Sequence, residues 1–588
     1  MRLPTLTQNY STRQMTDVFL GYNHNLRISD GEFYDMKNLT STHYPILAPR
    51  QQRGVYIDSN APKYGLISKD GLGYIENGEF HLNQYSTTDL HLSQEADRRK
   101  SSIISMGAYV IIITRDGAGN ILDKVWINST DFEDHGEIDA SVEVTETTFT
   151  LCDVDGNEYG DVGDTKPDSP TNGTMYIDKS GDKPQLMTYA ESSSMWTTVP
   201  TTYIKIKSNG IGKPFNQYDG VSISGISVPE LADLNNTSII QAKGDDYIVV
   251  IGILSETKDD YSMITVKREM PLMDFVIESG NRLWGCRYGM ANNGEIVNEI
   301  YASKLGDFKN WNCFMGISTD SYVAGVGTDG QFTGAVTHLG YPIFMKENCM
   351  HKVYGNYPAN YQVQTTTCRG VQKGCQKSIA IVNETLFYKS RSAVCAYDGS
   401  LPVEISAPLG EESYSDAVAC SHGNKYYIAM RDANEQYHLF VYDTAKGLWH
   451  KEDNTRPVDL CSCSGELYYI DMADEKIKTM FGSGIKDTSP VEWMAETGVI
   501  GTDSPDHKYI SKLNIRMSLD VGTKVIIYLQ YDSNGRWERA ATLAGNNLRS
   551  FSIPIRPKRC DHLRIKIEGK GDARIYSIAK TIEEGSDA

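Results

Sequence analysis

Short apolar runs separated by glycine-containing turns recur along most of the chain. The clearest copy lies between Asp416 and Glu452, where four runs fit into fewer than forty residues. Apolar and polar positions that alternate with a period of two predict strands with one buried face. Four short strands joined by tight turns have the size of one β-propeller blade. The pattern therefore predicts an all-β protein that contains a propeller.

Degenerate copies of this unit lie on both sides of it and predict a roughly seven-bladed β-propeller. Residues 55–136 hold the first blades and residues 263–487 hold the others. Residues 1–54 contain few regular runs and many turn residues, so they are expected to form an extended N-terminal arm. A hairpin is predicted within this arm at Asp30-Gly31, because Asp-Gly favours the turns that join antiparallel strands.

The blade pattern is interrupted over residues 137–262, which are rich in Thr, Asp and Gly. Strands are predicted there, including one continuous strand over Val142–Cys152. Since the blade pattern resumes afterwards, we interpret this region as an inserted β-domain, and such insertions are tolerated at exposed loops whose ends lie close together. Residues 488–588 alternate apolar and polar positions over several short runs, which predicts a C-terminal β-sandwich.

Composition agrees with many short strands. The 588 residues include 36 Tyr, 15 Phe and 51 Gly, a profile typical of cross-strand aromatic pairs and tight turns. No window contains the roughly 18–20 apolar residues that a transmembrane helix needs. The first twenty residues lack the pattern of a signal or transit peptide, so we expect synthesis in a cytoplasm.

The formal net charge of -19 argues against a large surface that grips nucleic-acid phosphates. It suits an acidic soluble surface, or a channel wall past which DNA slides without sticking. The 11 cysteines include no pair with the spacing of a zinc site or a redox motif. Cys420, Cys461 and Cys463 are expected to be free buried thiols in strands.

Two stretches have partial similarity to known site motifs. The alternating carboxylates from Asp153 to Asp161 resemble a calcium loop, but the sixth and twelfth positions do not fit an EF-hand, and a turn at Asp155-Gly156 explains them more simply. Ser303, Asp307 and Trp311 resemble the Asp-box of sialidase propellers with the wrong spacing. We expect both stretches to be structural turns.

No residue combination supports a catalytic assignment. The 12 histidines are dispersed, and the chain has neither a nucleophile elbow nor a phosphate-binding glycine loop followed by Lys and Ser or Thr. No pair of carboxylates has the context of a glycosidase acid and nucleophile. The sequence therefore nominates no catalytic, cofactor-binding or metal-binding residue, and we predict a protein that is not an enzyme and has no cofactor.

Two further groups are candidate contact residues. Tyr189, Trp196 and Tyr203 lie in the insert, where exposed aromatic rings would suit glycan binding, although most such rings are ordinary strand residues. The C-terminal region is locally basic, and alternation places Arg564 and Lys566 on an outward strand face. An exposed strand face is the simplest explanation. The alternative is contact with an acidic neighbour, including another copy of this chain. The basic residues are Arg549, Arg556, Lys558, Arg559, Arg564, Lys566, Lys570 and Arg574.

Three parts of the chain carry turn and strand signatures of one known family. At the start they are Phe19-Leu-Gly21, Asn38-Leu39 and Pro45-Ile-Leu-Ala-Pro49-Arg50. In the centre they are Ala302-Ser303-Lys304, Gly306-Asp307, Trp311, Asp320-Ser321-Tyr322, Gly327-Thr328-Asp329-Gly330, Gly334-Ala335, Leu386-Phe387-Tyr388, Tyr397-Asp398-Gly399-Ser400, Pro402 and Ile405-Ser406. At the end they are Pro554-Ile-Arg556-Pro-Lys-Arg559-Cys560-Asp561-His562, Gly569-Lys-Gly571 and Tyr576-Ser577-Ile578. With these residues the chain resembles tailed-bacteriophage tail proteins of the hub, nozzle or DNA-stabilisation type. The resemblance covers most of the chain except residues 137–262.

The resemblance implies a structural protein of the virion tail that is assembled in the host cytoplasm. It implies a ring-like homo-oligomer, with a hexamer as one candidate, on the DNA ejection path. The ring would contact the portal, the adaptor or other tail proteins and fibres, and genomic DNA would pass through without sequence-specific binding. Two alternatives remain open: a receptor- or glycan-binding tail or baseplate protein, and a propeller enzyme that acts on glycans.

Overall fold

The computed structural model describes residues 11–83, 85–87, 90–160, 162–181, 184–291, 294–486, 488–502 and 507–584. Within these residues the chain forms 53 β-strands and four short 3₁₀ helices, Pro229–Leu234, Pro358–Asn360, Gln376–Ser378 and Ala407–Leu409. The prediction of an all-β protein is confirmed. None of the helices in this described part has the length and apolar character required to cross a membrane.

Seven antiparallel sheets of the described chain, here called blades 1 to 7, form the propeller. In blades 1 to 6 the four strands pair in the order in which they occur. The strands of blades 1 and 2 are Lys63–Ser68, Leu72–Glu76, Glu79–Leu82 and Tyr85–Thr87, then Ser102–Met106, Tyr109–Arg115, Ile121–Asn128 and His135–Glu137. Those of blades 3 and 4 are Phe275–Glu278, Leu283–Met290, Ile296–Ala302 and Tyr322–Gly325, then Gly334–His338, Tyr341–Lys346, Cys349–Tyr354 and Gln362–Thr367. Those of blades 5 and 6 are Ala380–Val382, Thr385–Lys389, Val394–Tyr397 and Val403–Glu404, then Ser415–His422, Lys425–Arg431, Tyr437–Asp443 and Leu448–Lys451.

Blade 7 takes one strand from the amino-terminal part of the chain. Its own strands are Pro457–Cys463, Glu466–Asp471, Ile477–Thr479 and Ile485–Lys486, and Gly54–Ile57 lies between the last two. Gly54–Ile57 is antiparallel to Ile477–Thr479, with Val55 opposite Lys478. The pairing joins the start of the propeller to its end and so closes the ring of blades.

The first strand of each blade lies at the centre of the ring. Lys63–Ser68 of blade 1 contacts both Ser102–Met106 of blade 2 and Pro457–Cys463 of blade 7. First strands are likewise in contact between blades 2 and 3, 3 and 4, 5 and 6, and 6 and 7. Gly334 of blade 4 faces Ile379, which precedes blade 5. These first strands therefore surround the central channel.

The insert contains three sheets and has its own apolar core. The four-stranded sheet is Ala140–Val144, Ile264–Arg268, Gly220–Ser224 and Thr237–Ile239, in spatial order. The five-stranded sheet is Ala242–Gly244, Tyr247–Ile251, Tyr203–Lys207, Thr147–Cys152 and Lys258–Asp260, and the three-stranded sheet is Met175–Asp178, Gln185–Ala190 and Met195–Thr198. The first two sheets enclose buried side chains that include Phe149, Ile206, Val221 and Val266.

One predicted strand of the insert is divided in two. The alternating pattern predicts one strand over Val142–Cys152, but Ala140–Val144 and Thr147–Cys152 belong to different sheets. Glu146 between them has φ of +57°, a left-handed conformation that a strand does not contain. The alternating pattern continues across this corner, which is why the sequence did not indicate it.

The C-terminal region forms the predicted sandwich, and the amino-terminal residues complete both of its sheets. One sheet is Ser11–Thr16, Ala573–Glu584, Lys508–Leu519 and Arg549–Ile553, in spatial order. The other is Gly21–Tyr22, Glu32–Lys37, Glu492–Thr497, Leu563–Lys570, Lys524–Tyr531 and Glu538–Ala544. A separate two-stranded sheet pairs Leu39–Thr40 with Ala48–Pro49. The strands Ser11–Thr16, Gly21–Tyr22 and Glu32–Lys37 thus belong to the sandwich, and Gly54–Ile57 belongs to blade 7, so the described part of the predicted arm is folded into both units. Residues 1–10 of the predicted arm lie outside the described residues.

The prediction of a hairpin at Asp30-Gly31 is wrong. Gly21–Tyr22 and Glu32–Lys37 are parallel, because the loop between them returns the chain to the same end of the sheet. Gly31 has φ of +97°, and a Cβ added there would lie 2.5 Å from the carbonyl oxygen of Val18. The glycine thus serves a close backbone approach, which the Asp-Gly pattern does not distinguish from a hairpin turn.

The sandwich and the propeller share one core. A continuous cluster of buried side chains runs from blades 4 to 6 into the sandwich, and it includes Tyr388, Phe440, Trp449, Phe33 and Ile567. The contact with blade 6 is close at the backbone level, since Asn38 donates its N–H to the carbonyl of Glu452 at 2.7 Å.

The free energy of unfolding is expected to fall as the pH is lowered from about 6.5 towards 4. Burial lowers the pKa of His351 to about 4 and that of His450 to about 3. In the unfolded chain both histidines take up protons near pH 6.5, whereas in the folded chain they stay neutral to a lower pH. Below pH 6.5 protons therefore favour the unfolded chain, and each histidine lowers the free energy of unfolding by about 1.4 kcal/mol per pH unit. Urea unfolding at about pH 7.5 and about pH 5 measures the difference.

His351→Gln and His450→Gln variants should show a smaller fall than the unaltered chain, although each starts from a lower stability. His43→Gln, at an exposed position, is the matched control and should leave the pH dependence unchanged. An equal fall in all four proteins would contradict the assignment to these two histidines.

Candidate functional site

A loop crosses one mouth of the central channel. It comprises residues 90–101 between blades 1 and 2. The carbonyl oxygens of Arg98 and Arg99 accept hydrogen bonds from Lys377 Nζ at 3.4 Å and Gln376 Nε2 at 3.3 Å. Both donors precede the first strand of blade 5, on the far side of the ring. The loop is therefore fixed to both sides of the mouth.

Asp97 sets the conformation of this loop. Its Oδ1 accepts the backbone N–H groups of Arg99 at 2.9 Å and Lys100 at 3.1 Å. Its own N–H donates to the carbonyl of Arg115 in blade 2 at 2.6 Å. An aspartate side chain that accepts hydrogen bonds from the N–H groups of the next few residues stabilises a local turn. This turn presents Arg98 and Arg99 towards blades 6 and 7.

Three cation–carboxylate pairs surround the loop, namely Arg98 with Glu475, Arg99 with Asp416, and Lys377 with Asp459. Asp416 also accepts from the hydroxyl of Tyr437. Asp459 Oδ2 also accepts the N–H of Leu66 in blade 1 at 3.2 Å. Because each of these three cations faces a carboxylate, the three pairs carry no net charge together, and they hold the loop in place.

A second ionic cluster ties the amino-terminal segment to the propeller. Arg53 Nη2 lies 3.2 Å from Glu452 Oε2 and 3.0 Å from Asp453 Oδ2. Arg50 Nη2 lies 3.2 Å from Asp453 Oδ2. Arg53 also donates to the hydroxyl of Tyr469 at 3.1 Å, and its guanidinium lies 5.3 Å from the centre of that ring.

Burial shapes the protonation of this cluster. Burial opposes the charge of Arg53, but Asp453, Tyr469 and Glu452 outweigh it and raise the pKa of Arg53. Burial alone would raise the pKa of Asp453, but the charges of Arg53 and Arg50 outweigh burial and lower this pKa. Burial raises the pKa of Glu452. The cluster therefore depends on both arginines, since they compensate carboxylates that are largely removed from water.

The insert is attached to blade 3 through a buried polar joint. Arg268 is paired with Asp219. Asn310 Nδ2 donates to Asp219 Oδ1 at 2.9 Å and to Asp307 Oδ2 at 2.6 Å. Asn310 Oδ1 accepts the N–H of Gly220 at 2.9 Å. One asparagine thus bridges the insert and the propeller.

The stretch compared with an Asp-box contributes to this joint. Asp307 forms an isolated bridge with Lys304 and accepts the N–H of Lys309 at 3.0 Å, so it shapes a turn. Trp311 is buried and donates its indole N–H to the carbonyl of Phe308 at 2.9 Å. The expectation of a structural turn is confirmed. The bridging role of Asn310 was missed, because no spacing in the sequence links it to Asp219.

Asn310→Ala is expected to loosen the insert and to cost about 1–3 kcal/mol, because Asp219 and the N–H of Gly220 each lose a buried partner. Hydrogen exchange of residues 138–144 and 264–270 should rise more than exchange in blade 6. Asn434→Ala, at an exposed turn position, is the control. Unchanged exchange at both segments would show that Asn310 does not hold the insert.

The possible calcium loop is a turn. Asp153 Oδ1 accepts the N–H groups of Asp155 and Asn157 at 3.0 and 2.8 Å, and its Oδ2 accepts from Asn157 Nδ2 at 2.8 Å. The hydrogen bond from the Asn157 side chain contributes most to the lowered pKa of Asp153. Asp161 lies outside the described residues. Across the described ranges, no group of three or more His, Cys, Asp or Glu residues is placed to hold a metal ion.

The three aromatic residues of the insert are not one cluster. On the three-stranded sheet, the ring centre of Trp196 lies 5.3 Å from that of Tyr189. It lies 4.7 Å from the ring centre of Tyr176, and these two rings meet edge to face. Tyr203 lies in the five-stranded sheet opposite Cys152 and Ile251. Lys166 Nζ is 6.0 Å from the centre of the Trp196 ring. The sequence had not indicated Tyr176 or Lys166.

Arg564 and Lys566 lie on the predicted outward strand face, but both have partners within the chain. Arg564 Nη1 is 2.9 Å from Glu496 Oε1, and its guanidinium lies 4.2 Å from the ring centre of Tyr34. Lys566 Nζ is 2.7 Å from Glu568 Oε1. All 11 cysteines are free; Cys461 and Cys463 are buried as predicted, whereas Cys420 is partly exposed.

No protein-family model matches the chain, and no curated protein matches it. Among the similar solved structures, the Trypanosoma rangeli sialidase has 9% identity and a TM-score of 0.24, and the match covers 97% of this chain and 96% of that chain. The phage phi92 endosialidase has 9% identity and a TM-score of 0.22, and the match covers 76% of this chain and 69% of that chain. A putative 6-phosphogluconolactonase from Bacteroides fragilis has 10% identity and a TM-score of 0.22, and the match covers 57% of this chain and 94% of that chain. At these TM-scores the similarity supports no conclusion about activity or substrate.

Proposed function

We propose that this protein is a non-enzymatic structural subunit of a bacteriophage tail, which forms a ring on the DNA ejection path and docks other tail proteins or fibres. The observation that carries the proposal is the closed mouth of the propeller. Arg98, Arg99 and Lys377 there are paired with carboxylates of blades 6 and 7, so they stabilise a rigid body. A rigid subunit with three joined parts suits assembly better than turnover.

The positions of the stretches that resemble tail proteins support the same proposal. The amino-terminal stretch up to Arg50 and the final stretch from Pro554 lie together in the sandwich or against it. The central stretches belong to blades 3 to 5 or to the loops that join their strands. The resemblance thus covers the sandwich and blades 3 to 5 of the propeller, and the insert is an addition outside it.

The electrostatics also suit DNA that passes without being held. Binding to the backbone of DNA requires lysine or arginine side chains free to replace its counterions. The three cations at the mouth are each paired with a carboxylate, and the chain carries a net charge of -19. A DNA channel lined by surfaces of this kind would repel DNA weakly and would not retain it.

Negative-stain imaging and native mass measurement of the purified chain, alone and with a portal–adaptor complex, test the proposal. Closed rings with a central pore, formed alone or on the complex, are the expected result. Monomers under both conditions would overturn it. Asp97→Ala, which disturbs the loop at the mouth, should reduce ring formation. Asn434→Ala, at an exposed turn of blade 6, is the matched control and should leave ring formation intact.

A second candidate function is glycan binding by the insert. It is favoured by Trp196, which is only partly buried and lies beside Tyr189 and Lys166. Aromatic rings flanked by polar groups bind sugars through their faces, so Trp196→Ala should abolish binding on a glycan array if this function holds. Tyr203→Phe, on another sheet, is the control. Binding that survives Trp196→Ala would exclude this site.

A further inference from the structure

Charge is distributed unevenly between the parts of the chain. Residues 137–262 contain 8 Lys or Arg against 21 Asp or Glu, a net charge of -13. Residues 488–588 contain 15 Lys or Arg against 13 Asp or Glu, a net charge of +2. The insert thus carries most of the negative charge, and the sandwich carries a small excess of positive charge.

The positive charge of the sandwich is concentrated at one edge. Residues 536–559 contain six Lys or Arg and only one acidic residue, Glu538. This stretch includes Glu538–Ala544 and Arg549–Ile553, which are the terminal strands of the two sandwich sheets. We call it the basic edge. Its exposed arginines that form no ion pair with any described residue are Arg536, Arg539, Arg549 and Arg556.

The basic edge also presents an apolar side chain. Leu548 is 48% exposed and precedes Arg549, whose guanidinium lies 4.2 Å from the ring centre of Phe551. Terminal strands leave backbone N–H and C=O groups without partners, and most proteins protect such edges. An exposed leucine on such an edge, beside arginines that have no carboxylate partner in the described part of the chain, favours contact with an acidic surface that has an apolar centre.

The insert offers a surface of this kind where it meets blade 3. A groove of about 630 Å³ is lined by Ile251, Phe314 and Met315. These side chains are 54%, 55% and 47% exposed, and large apolar side chains exposed together mark interaction sites. Glu230 and Asp233 line the same groove and are exposed. We call this surface the acidic groove.

We propose that the basic edge of one copy of this chain docks into the acidic groove of a second copy. Leu548 would contact Phe314 and Met315, and the arginines beside it would face Glu230 and Asp233. Opposite charges on two patches guide them together and set their register. A second copy is the favoured occupant because each copy carries both surfaces, and the two are complementary in charge and in apolar character.

The geometry of such a contact leads to a ring or a filament. The two surfaces differ, so the contact is heterologous, and every copy keeps one free edge and one free groove. Repeated head-to-tail contacts close into a ring when the rotation between copies permits it. That these contacts close into a ring rests on the proposed function, whereas the contact between the basic edge and the acidic groove does not.

Charge-reversed full-length chains test the contact. The edge variant carries Arg539→Glu and Arg549→Glu, and the groove variant carries Glu230→Lys and Asp233→Lys. Each variant alone should associate at least about tenfold more weakly than the unaltered chain, because like charges then meet. An equal mixture of the two should assemble, since each then finds a complementary neighbour. A chain with all four changes should also assemble alone.

Native mass spectrometry and sedimentation velocity measure association, and circular dichroism verifies that each variant is folded. Association of the unaltered chain should also weaken as salt rises from about 50 to about 500 mM, because exposed charges are screened. Lys373→Glu with Arg391→Glu, two exposed positions of the propeller, changes the charge equally and should leave association unaltered.

Three results would overturn the contact. They are full association of either variant alone, failure of the mixture, and a monomeric unaltered chain at low salt. Loss of DNA retention by the edge variant with unchanged association would assign the edge to nucleic acid instead. Rings that still form on a portal–adaptor complex in any of these cases would leave the proposed function standing, so the two failures are distinguishable.

Discussion

Arg53→Ala is expected to lower the free energy of unfolding by about 3–5 kcal/mol, the usual cost of removing one partner from a buried ion pair. Glu452 and Asp453 would lose the cation that lies 3.2 and 3.0 Å away, and Tyr469 would lose its hydrogen-bond donor. Because Arg53 immediately precedes Gly54–Ile57, the change also weakens the strand that closes the propeller. Urea unfolding followed by tryptophan fluorescence measures the loss.

The pH dependence of this loss distinguishes a charge effect from a packing effect. Burial already raises the pKa of Glu452, and removal of Arg53 raises it further. Protonation then relieves part of the penalty, so the loss should be smaller at about pH 5 than at about pH 8. Arg53→Lys should be more stable than Arg53→Ala, because lysine keeps the positive charge. It should remain less stable than the unaltered chain, because an ammonium group cannot reproduce the planar guanidinium that contacts both carboxylates. A loss below about 1 kcal/mol would place the pair among ordinary surface ion pairs.

The sequence was most informative where structure is local. The four strands predicted between Asp416 and Glu452 are observed as Ser415–His422, Lys425–Arg431, Tyr437–Asp443 and Leu448–Lys451. Each is linked to the next by a short turn, and alternation marks which side chains are buried. Period and turn residues together determine such a unit, because its pairing partners are adjacent in the chain.

Pairing between distant strands was not predictable in the same way. Gly54–Ile57 pairs with Ile477–Thr479 more than four hundred residues later, and Gly21–Tyr22 pairs parallel to Glu32–Lys37. Alternation shows that a segment is a strand and which face is buried, but it contains no information about the partner. The pattern therefore predicts an arm for the amino-terminal segment, although the segment completes two other parts of the molecule.

The candidate site was less predictable than the fold for the same reason. Arg98 and Arg99 lie in a turn-rich loop, and their partners Glu475 and Asp416 are over three hundred residues away. No spacing rule connects such residues, whereas metal sites and nucleophile motifs have partners at fixed local distances. Only the closure of the ring brings the loop and the two carboxylates together.

Trp449→Ala is expected to lower the free energy of unfolding by about 3–5 kcal/mol, as for other large aromatic residues in cores. Trp449 is buried in the last strand of blade 6, and its indole N–H donates to the carbonyl of Ile405 at 2.8 Å. Its own carbonyl lies so close to Gly21 that a Cβ there would be 2.2 Å away. The residue thus connects blade 6 with the strand that begins the sandwich sheet.

The location of the damage is as informative as its size. A cavity at Trp449 should raise hydrogen exchange in Gly21–Tyr22 and Glu32–Lys37, on the sandwich side, as much as in blade 6. Exchange in blades 1 and 2, which do not contribute to this core, should change least. Trp449→Phe is the matched comparison: it keeps the six-membered ring but removes the pyrrole part and the hydrogen bond, so the loss should be smaller than for Trp449→Ala, about 1–3 kcal/mol. Increased exchange confined to blade 6 would mean that the sandwich and the propeller do not depend on a shared core, because the loss would then remain within one blade.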